Sequence, residues 1–127
     1  MAKISPSLED YLETIMLIKE RQGEIRLTEI AAKMNVAKSS VHTALKNLEE
    51  MKLLVHEKYG NVILLPEGEE MAKKIYARHK ALTLFFEKIV GVSSETAQKD
   101  ACAIEHIISP ETMERIVMIC EKDKDKD

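Results

Sequence analysis

Residues 26–51 restrict the fold more than any other part of the sequence, because two helix-forming segments follow one another closely there. The first is predicted over Thr28–Met34, with Thr28 as its cap, and the second over Lys38–Met51. Asn35-Val36 predicts the turn between them. Two helices joined by a turn of about three or four residues form a helix-turn-helix. The alternative is an ordinary helical hairpin inside a core.

Residues 30–48 favour the helix-turn-helix, because they contain three lysines and no acidic residue. The formal net charge of −3 does not by itself indicate a nucleic-acid partner, so this local distribution is more informative. The second helix begins with small, polar or basic residues, which suits approach to a major groove of double-stranded DNA. The predicted base-edge contacts are Ser39, Ser40 and Thr43, and the predicted phosphate contacts are Lys38, Lys46 and Lys58.

Two apolar runs directly after the second helix predict a wing. They lie at 54–58 and 62–65 and flank a Tyr59-Gly60-Asn61 turn. Such runs around glycine and asparagine are typical of a β-hairpin. A hairpin in this place turns the helix-turn-helix into a winged helix-turn-helix, with Lys58 near the tip of the wing.

The rest of the chain is predicted to be helical, so the fold class is mainly α with a small β-hairpin. Further helices are predicted over 5–20, 66–90, 94–108 and 111–120. The last two carry more apolar side chains than a winged helix of this size needs, which predicts the interface of a homodimer. These side chains are Ile104, Ile107, Ile108, Met113, Ile116, Val117 and Ile119.

Cys102, Glu105 and His106 are spaced i, i+3 and i+4 in one of the predicted helices. This spacing places a thiol, a carboxylate and an imidazole on one helix face. All three groups can bind a single divalent transition metal. Three residues are a weak pattern by themselves. The alternative is a half-buried helix with a buried cysteine and two solvated polar residues.

Composition narrows the class of protein. Of the 127 residues, 45% are hydrophobic and 32% are charged, which is typical of a soluble globular chain. No run approaches the roughly 18 apolar residues of a membrane span, and the chain does not open with a secretory segment. Two cysteines are too few for a disulfide framework. We therefore expect a cytoplasmic protein with free thiols.

Several blocks of the sequence, in order, resemble the diphtheria toxin repressor family of metal-dependent transcriptional repressors, and within it the manganese transport regulators. The matching blocks are Ser7-Leu8-Glu9-Asp10-Tyr11-Leu12-Glu13, Glu57-Lys58-Tyr59, Arg78-His79 and Ile104-Glu105-His106. The resemblance extends from Ser7 to about Ile119. Separate blocks in the right order are far more specific than one motif. The resemblance implies a winged helix-turn-helix followed by a helical dimerisation domain, with metal bound between the two.

The resemblance also implies a ligand set. The metal-binding positions of the family fall on Asp10, Glu13, His79, Cys102, Glu105 and His106. Considered as residues alone, Asp10 and Glu13 have an alternative as surface partners of the helix dipole, and His79 has one as a structural or solvated histidine. The set is a hybrid, because Asp10 is typical of manganese-type members and Cys102 of iron-type members. The implied cofactor is Fe(II) or Mn(II), and the implied function is repression of metal-uptake genes.

The same resemblance divides the chain into parts. We predict a DNA-binding domain over 1–66, a metal-binding and dimerisation domain over 67–120 and a disordered charged tail over 121–127. We expect the short form of the family, without the SH3-like domain of the iron-type members. Thr83 and Gln98 stand where those members place ancillary ligands, so a complete ancillary site is not expected.

Two other functions follow from the residues without the resemblance. A small metal-dependent hydrolase could hold zinc with Cys102, Glu105 and His106, although no spare general base lies beside them. A redox-sensing winged-helix regulator would instead use Cys102. Chelator would control DNA binding by a metal-dependent repressor, whereas oxidant would control the redox sensor. We expect a regulator and not an enzyme.

Overall fold

The structure is a computed structural model that describes residues 5–57 and 60–125. The elements are α1 (Pro6–Gln22), α2 (Leu27–Met34), α3 (Lys38–Glu50), β1 (Leu54–His56), β2 (Val62–Leu64), α4 (Pro66–Leu84), a π-helical segment (Phe85–Val90), α5 (Ser94–Ile104) and α6 (Pro110–Asp125). The predicted fold class, mainly α with one small hairpin, is confirmed. The chain divides inside α4, after Lys73, into two compact units. None of the described helices is both long and apolar enough to cross a membrane.

The core of the first unit is built from one apolar stripe on each of its first three helices. Leu12 and Ile15 of α1, Ile30 of α2 and Leu45 of α3 are completely buried. The start of α1 is set by Ser5, whose hydroxyl accepts the Leu8 N–H at 3.2 Å. α1 packs against both helices of the helix-turn-helix, α2 and α3, which also pack against each other.

The turn between α2 and α3 has the predicted position, but α2 begins earlier than predicted. Asn35 adopts the left-handed conformation, with φ 56°, which an asparagine tolerates well. The residue that precedes α2 is Arg26, so Thr28 lies inside the first turn and does not cap the helix. Contacts with a distant part of the chain explain the earlier start of α2. Arg26 forms an antiparallel bridge with Asn61, and the neighbouring Ile25 carbonyl accepts the Val62 N–H at 2.9 Å.

The predicted wing is present as a short antiparallel pair. Leu54 pairs with Leu64 and His56 with Val62, so each strand has three residues and is shorter than its predicted run. Leu54 and Leu64 point into the core, whereas Val55 and Ile63 between them are exposed. This alternation is what a hairpin with one buried face requires. Lys58 and Tyr59, at the predicted tip, lie outside the described residues.

The first turn of α4 lies against the chain that leads into the wing. The Leu65 N–H donates to the Leu53 carbonyl at 3.0 Å. A Cβ on Gly68 would overlap that same carbonyl oxygen. Glycine is therefore required at this position by a close backbone approach, and no flexible side chain can move aside to relieve it.

We expect Gly68→Ala to lower the free energy of unfolding by about 1–3 kcal/mol, because overpacking against backbone displaces α4 from Leu53. Urea unfolding followed by circular dichroism measures this loss. Glu67→Ala, at an exposed neighbouring position of the same helix, is the matched control and should change stability by much less. Equal stability of the Gly68→Ala protein and the wild type would contradict the close approach.

The core of the second unit forms around α4, α5 and α6. Leu82, Ala101, Met113, Ile116 and Cys120 are buried together, and phenylalanines of the π-helical segment pack against them. Gly91 ends this segment with φ 89°, and its N–H donates to the Phe86 carbonyl at 2.9 Å. The sequence predicted that the helix would end at Gly91, but it did not predict the π-helical turn before it.

Two helix ends in the second unit differ from the sequence prediction. α5 ends at Ile104 and not at Ile108, and the Ile107 and Ile108 N–H groups both donate to the Ile104 carbonyl. Pro110 disfavours helical backbone in the residue before it, so the chain must leave the helix before α6. α6 in turn continues to Asp125, where a disordered tail was predicted. A helix already nucleated by packing extends through charged residues at little cost.

Candidate metal centre and nucleic-acid interface

Glu105 is the one charged residue that is completely buried in the described part of the chain. It follows the last turn of α5 directly, and its N–H still donates to the Ala101 carbonyl at 3.0 Å. Neither carboxylate oxygen accepts a hydrogen bond from the described residues. A buried carboxylate is costly unless a positive charge or a metal ion balances it. This side chain is therefore the strongest indication of a ligand site.

Two imidazoles lie beside the Glu105 carboxylate. Its Oε1 is 3.5 Å from Nδ1 of His79 and 3.6 Å from Nε2 of His106. His79 is presented by α4, whereas His106 follows Glu105 in the turn after α5. Thr83 donates its hydroxyl to the His79 carbonyl at 2.8 Å and so is engaged within α4. The structure thus brings together three of the predicted ligands, all within the second unit.

The two cysteines have different surroundings. Cys102 is exposed and forms no disulfide, and its sulfur and a Glu105 oxygen lie within 4.8 Å of one another. Cys120 is buried, and its thiol donates to the Ala81 carbonyl at 3.8 Å. Burial, with Asp123 as a lesser cause, raises the pKa of the Cys120 thiol. Cys120 is therefore a core residue, whereas Cys102 is available as a ligand.

The predicted helix face needs correction in one respect. Cys102 lies on α5, but Glu105 and His106 lie in the turn that follows it. Glu105 keeps helical dihedral angles, so the predicted i, i+3 relation between Cys102 and Glu105 remains. The alternative of a buried cysteine beside two solvated polar residues is wrong, because Cys102 is exposed and Glu105 is buried.

Asp10 and Glu13 lie one turn apart on α1, in the first unit, and both are half-buried. The acidic residue in the first turn of α1 is Glu9, so neither Asp10 nor Glu13 holds the position nearest the helix dipole. Their carboxylates are hard oxygen donors of the kind that Mn(II) and Fe(II) accept. The second-unit donors are a carboxylate, two imidazoles and a thiol, and this set also fits such ions.

The second candidate site is the exposed face of α3. Val41 and Leu45 are buried against the core, which leaves the opposite side of the helix to solvent. That side lines a shallow concavity formed by Ser39, His42, Thr43, Lys46, Asn47 and Glu50. The predicted Lys38 and Ser40 are also exposed but do not line the concavity.

Sequence reasoning missed His42 and Asn47 as members of this face. Both are exposed, and both have the hydrogen-bonding groups that base edges require. Helical spacing could have identified both positions. His42 lies three residues after Ser39 and four before Lys46, and Asn47 lies four residues after Thr43. Thr43 donates its hydroxyl to the Ser39 carbonyl at 3.1 Å, so this hydroxyl proton is already engaged within α3.

Two family models match the chain in succession. Residues 3–62 match the N-terminal DNA-binding domain of iron dependent repressors, and residues 65–126 match their metal binding and dimerisation domain. The fold observed in each unit agrees with these descriptions, since the first contains a winged helix-turn-helix and the second the buried glutamate with its two histidines.

Similar proteins are also transcriptional regulators by name. An uncharacterized HTH-type regulator of Methanocaldococcus jannaschii is 40% identical over 97% of this chain and 99% of its own length. The HTH-type transcriptional regulator MntR of Geobacillus kaustophilus is 36% identical over 88% of this chain and 79% of its own length. A manganese-dependent transcriptional repressor, solved with manganese, has a TM-score of 0.82 and 25% identity over 90% of this chain. The chain spans only 52% of the length of that structure.

A winged helix-turn-helix together with a buried ligand cluster defines a metal-dependent DNA-binding transcriptional regulator. The chain belongs to the iron dependent repressor family, within the group that includes the manganese regulators. The predicted family, fold and class of function are confirmed. The matched domains are those that bind DNA, bind metal and dimerise in this family.

Proposed function

We propose that Fe(II) or Mn(II) is held by Asp10, Glu13, His79, Cys102, Glu105 and His106, and that this ion activates repression of metal-uptake genes. The observation that carries the proposal is the buried Glu105 carboxylate, which has two imidazole nitrogens within 3.6 Å. The bound ion supplies positive charge that balances the buried carboxylate. The family resemblance supports the addition of Asp10 and Glu13.

α1 is the element through which this metal acts on DNA binding. Asp10 and Glu13 lie on α1, and α1 packs against both helices of the helix-turn-helix. A ligand pair on α1 therefore links occupancy of the metal site to the position of α2 and α3. The metal favours the DNA-binding arrangement only to the extent that it binds that arrangement more tightly.

We further propose that the chain is a regulator and not an enzyme, and that it acts in the cytoplasm on chromosomal DNA. The cytoplasmic location is an expectation from the sequence, and DNA binding by the matched N-terminal domain agrees with it. The domain boundary near residue 66 is proposed from the family models, which meet between residues 62 and 65.

The experiment that tests the proposal is operator binding by the purified protein, with chelator and with each added metal. The operator is first selected from random-sequence DNA. We expect tight binding with Fe(II) or Mn(II) and weak, salt-dependent binding with chelator. A redox sensor would instead respond to oxidant in the presence of chelator. Equal affinity with chelator and with metal would refute the proposal.

Lys46→Ala should weaken binding to all DNA sequences alike and reduce the salt slope by about one unit, because it removes one phosphate contact. Lys46 is exposed on the α3 face and lines its concavity. Fluorescence anisotropy over a range of salt concentrations measures the slope. Lys99→Ala removes an exposed charge from the second unit and serves as the control. A slope unchanged by Lys46→Ala would mean that this lysine does not contact DNA.

Ile107→Asp should raise the dissociation constant of the homodimer at least about tenfold, as expected for an apolar side chain at the centre of an interface. Ile107 is 77% exposed in the single chain, the largest exposure among the large apolar residues described. Sedimentation at micromolar concentration gives the dimer fraction. Ile63→Asp, at an exposed position of the wing, should leave the dimer intact. A variant at Ile107 that remains fully dimeric would exclude this residue from the interface.

A further inference from the structure

His42 occupies a position on α3 that suits direct contact with a base. It lies on the exposed face of the helix and lines the concavity with Ser39, Thr43 and Lys46. A neutral imidazole carries one N–H donor and one acceptor, and a protonated one carries two donors. The N7 and O6 atoms of guanine are acceptors in the major groove. His42 therefore has the chemistry to read a purine edge.

The ring of His42 is also in contact with the wing. His56, on β1, lies with its ring centroid 6.1 Å from that of His42, and the two planes meet at 83°. This edge-to-face arrangement is a favourable one for aromatic rings. His56 is half-buried and its backbone is paired with Val62 in the hairpin, so its ring is held by the strand.

We propose that His42 is a specificity-determining DNA contact and that His56 is the residue that positions its ring. An exposed side chain on a helix ordinarily has several rotamers, and ordering it on binding costs conformational entropy. The edge contact with His56 restricts His42 before DNA arrives. The wing thereby contributes to base recognition through α3, in addition to any contact that its own tip makes. The inference depends on DNA binding by α3, as proposed above.

The test compares base preference among variants of the full-length, metal-loaded protein. An operator is selected with the wild type, and every base pair is then substituted in turn and its affinity measured. We expect His42→Ala to lose about 5- to 100-fold of discrimination at one base pair of each half-site. His56→Ala should lose part of the discrimination at the same base pair, and the double variant should be no worse than His42→Ala alone.

His56→Phe keeps an aromatic ring beside His42 and should retain the wild-type base preference. Retention of the preference in His56→Phe, together with its partial loss in His56→Ala, would show that the ring at this position is what matters. It also keeps the test valid if His56→Ala fails to fold. Lys33→Ala, at an exposed position of α2, is the control and should leave every preference unchanged.

Three results would overturn the inference. One is an unchanged preference in His42→Ala, and another is uniform weakening at all base pairs, which would mark a phosphate contact. The third is independent, additive effects of the two histidines. Wild-type affinity with and without chelator is measured in the same assay. Equal wild-type affinity in the two conditions would count against the proposed function, whatever the result for His42→Ala.

Discussion

Glu105→Gln should abolish the metal response of DNA binding while the metal-free protein keeps its fold. Glutamine fills the same volume, but it removes the negative charge that a buried metal ion requires beside it. Groups that merely support metal ligands contribute about 10- to 100-fold to affinity, so loss of a direct ligand should cost at least about 100-fold. Metal titration of the purified variant measures this affinity.

Thermal unfolding separates this role from a structural one. Metal at a hundred times its dissociation constant should stabilise the wild type by about 2.7 kcal/mol and the Glu105→Gln variant by almost nothing. Without metal, the variant should unfold at the same temperature as the wild type or above it, because it lacks the buried, unbalanced charge. Glu111→Gln, at an exposed position of α6, removes the same charge and should behave as the wild type. A variant at Glu105 that binds metal normally would remove this residue from the ligand set.

Cys102→Glu should shift metal preference from Fe(II) towards Mn(II). A thiolate is a soft ligand and favours Fe(II) over Mn(II), whereas a carboxylate is hard and accepts Mn(II). We expect the wild type to be activated by both ions, with Fe(II) somewhat favoured and one main ion per subunit. The substitution should change the ratio of the two affinities by about tenfold or more.

The measurement must be anaerobic, because Fe(II) and the exposed Cys102 thiol both oxidise in air. Each metal is titrated and operator affinity is recorded at saturation. Cys120→Ala removes a buried thiol of the core and is the control, for which we expect an unchanged metal preference. Strong activation by Mn(II) with none by Fe(II), and little change in Cys102→Glu, would refute the thiolate argument.

Local signals in the sequence were sufficient for most of the fold. Serine is a favoured residue at the position before a helix, and Ser5 and Ser93 each accept a backbone N–H at the start of a helix. Val41, Leu45 and Leu48 recur at helical spacing in the sequence of α3, and all three are buried. Such features depend on residues within a few positions of one another, which is why a single sequence reveals them.

Features that depend on distant residues were the ones that sequence reasoning missed. The start of α2 is set by pairing of Ile25 and Arg26 with the wing, about 36 positions further along the chain. Gly68 was not recognised as a required glycine, since its constraint is the Leu53 carbonyl. The contact between His42 and His56 could not be predicted from spacing, because the fold of the hairpin brings the two rings together.

The candidate metal site depends both on local spacing in the sequence and on contacts between distant residues. The spacing of Cys102, Glu105 and His106 was visible in the sequence, and the structure adds that Glu105 is buried beside two imidazoles. His79 was assigned through family resemblance, and it lies 3.5 Å from the Glu105 carboxylate. Spacing alone did not reveal that α5 ends before Glu105, because that end depends on how the following turn leads into α6.

Coupling between the metal site and the DNA-binding face is the central claim, and reciprocal titration tests it most directly. Metal affinity is measured for the protein alone and for the protein bound to its operator. Because coupling free energy is reciprocal, operator should tighten metal binding by the same factor by which metal tightens operator binding, typically about 5- to 150-fold. Identical metal affinity in the two titrations would contradict the claim.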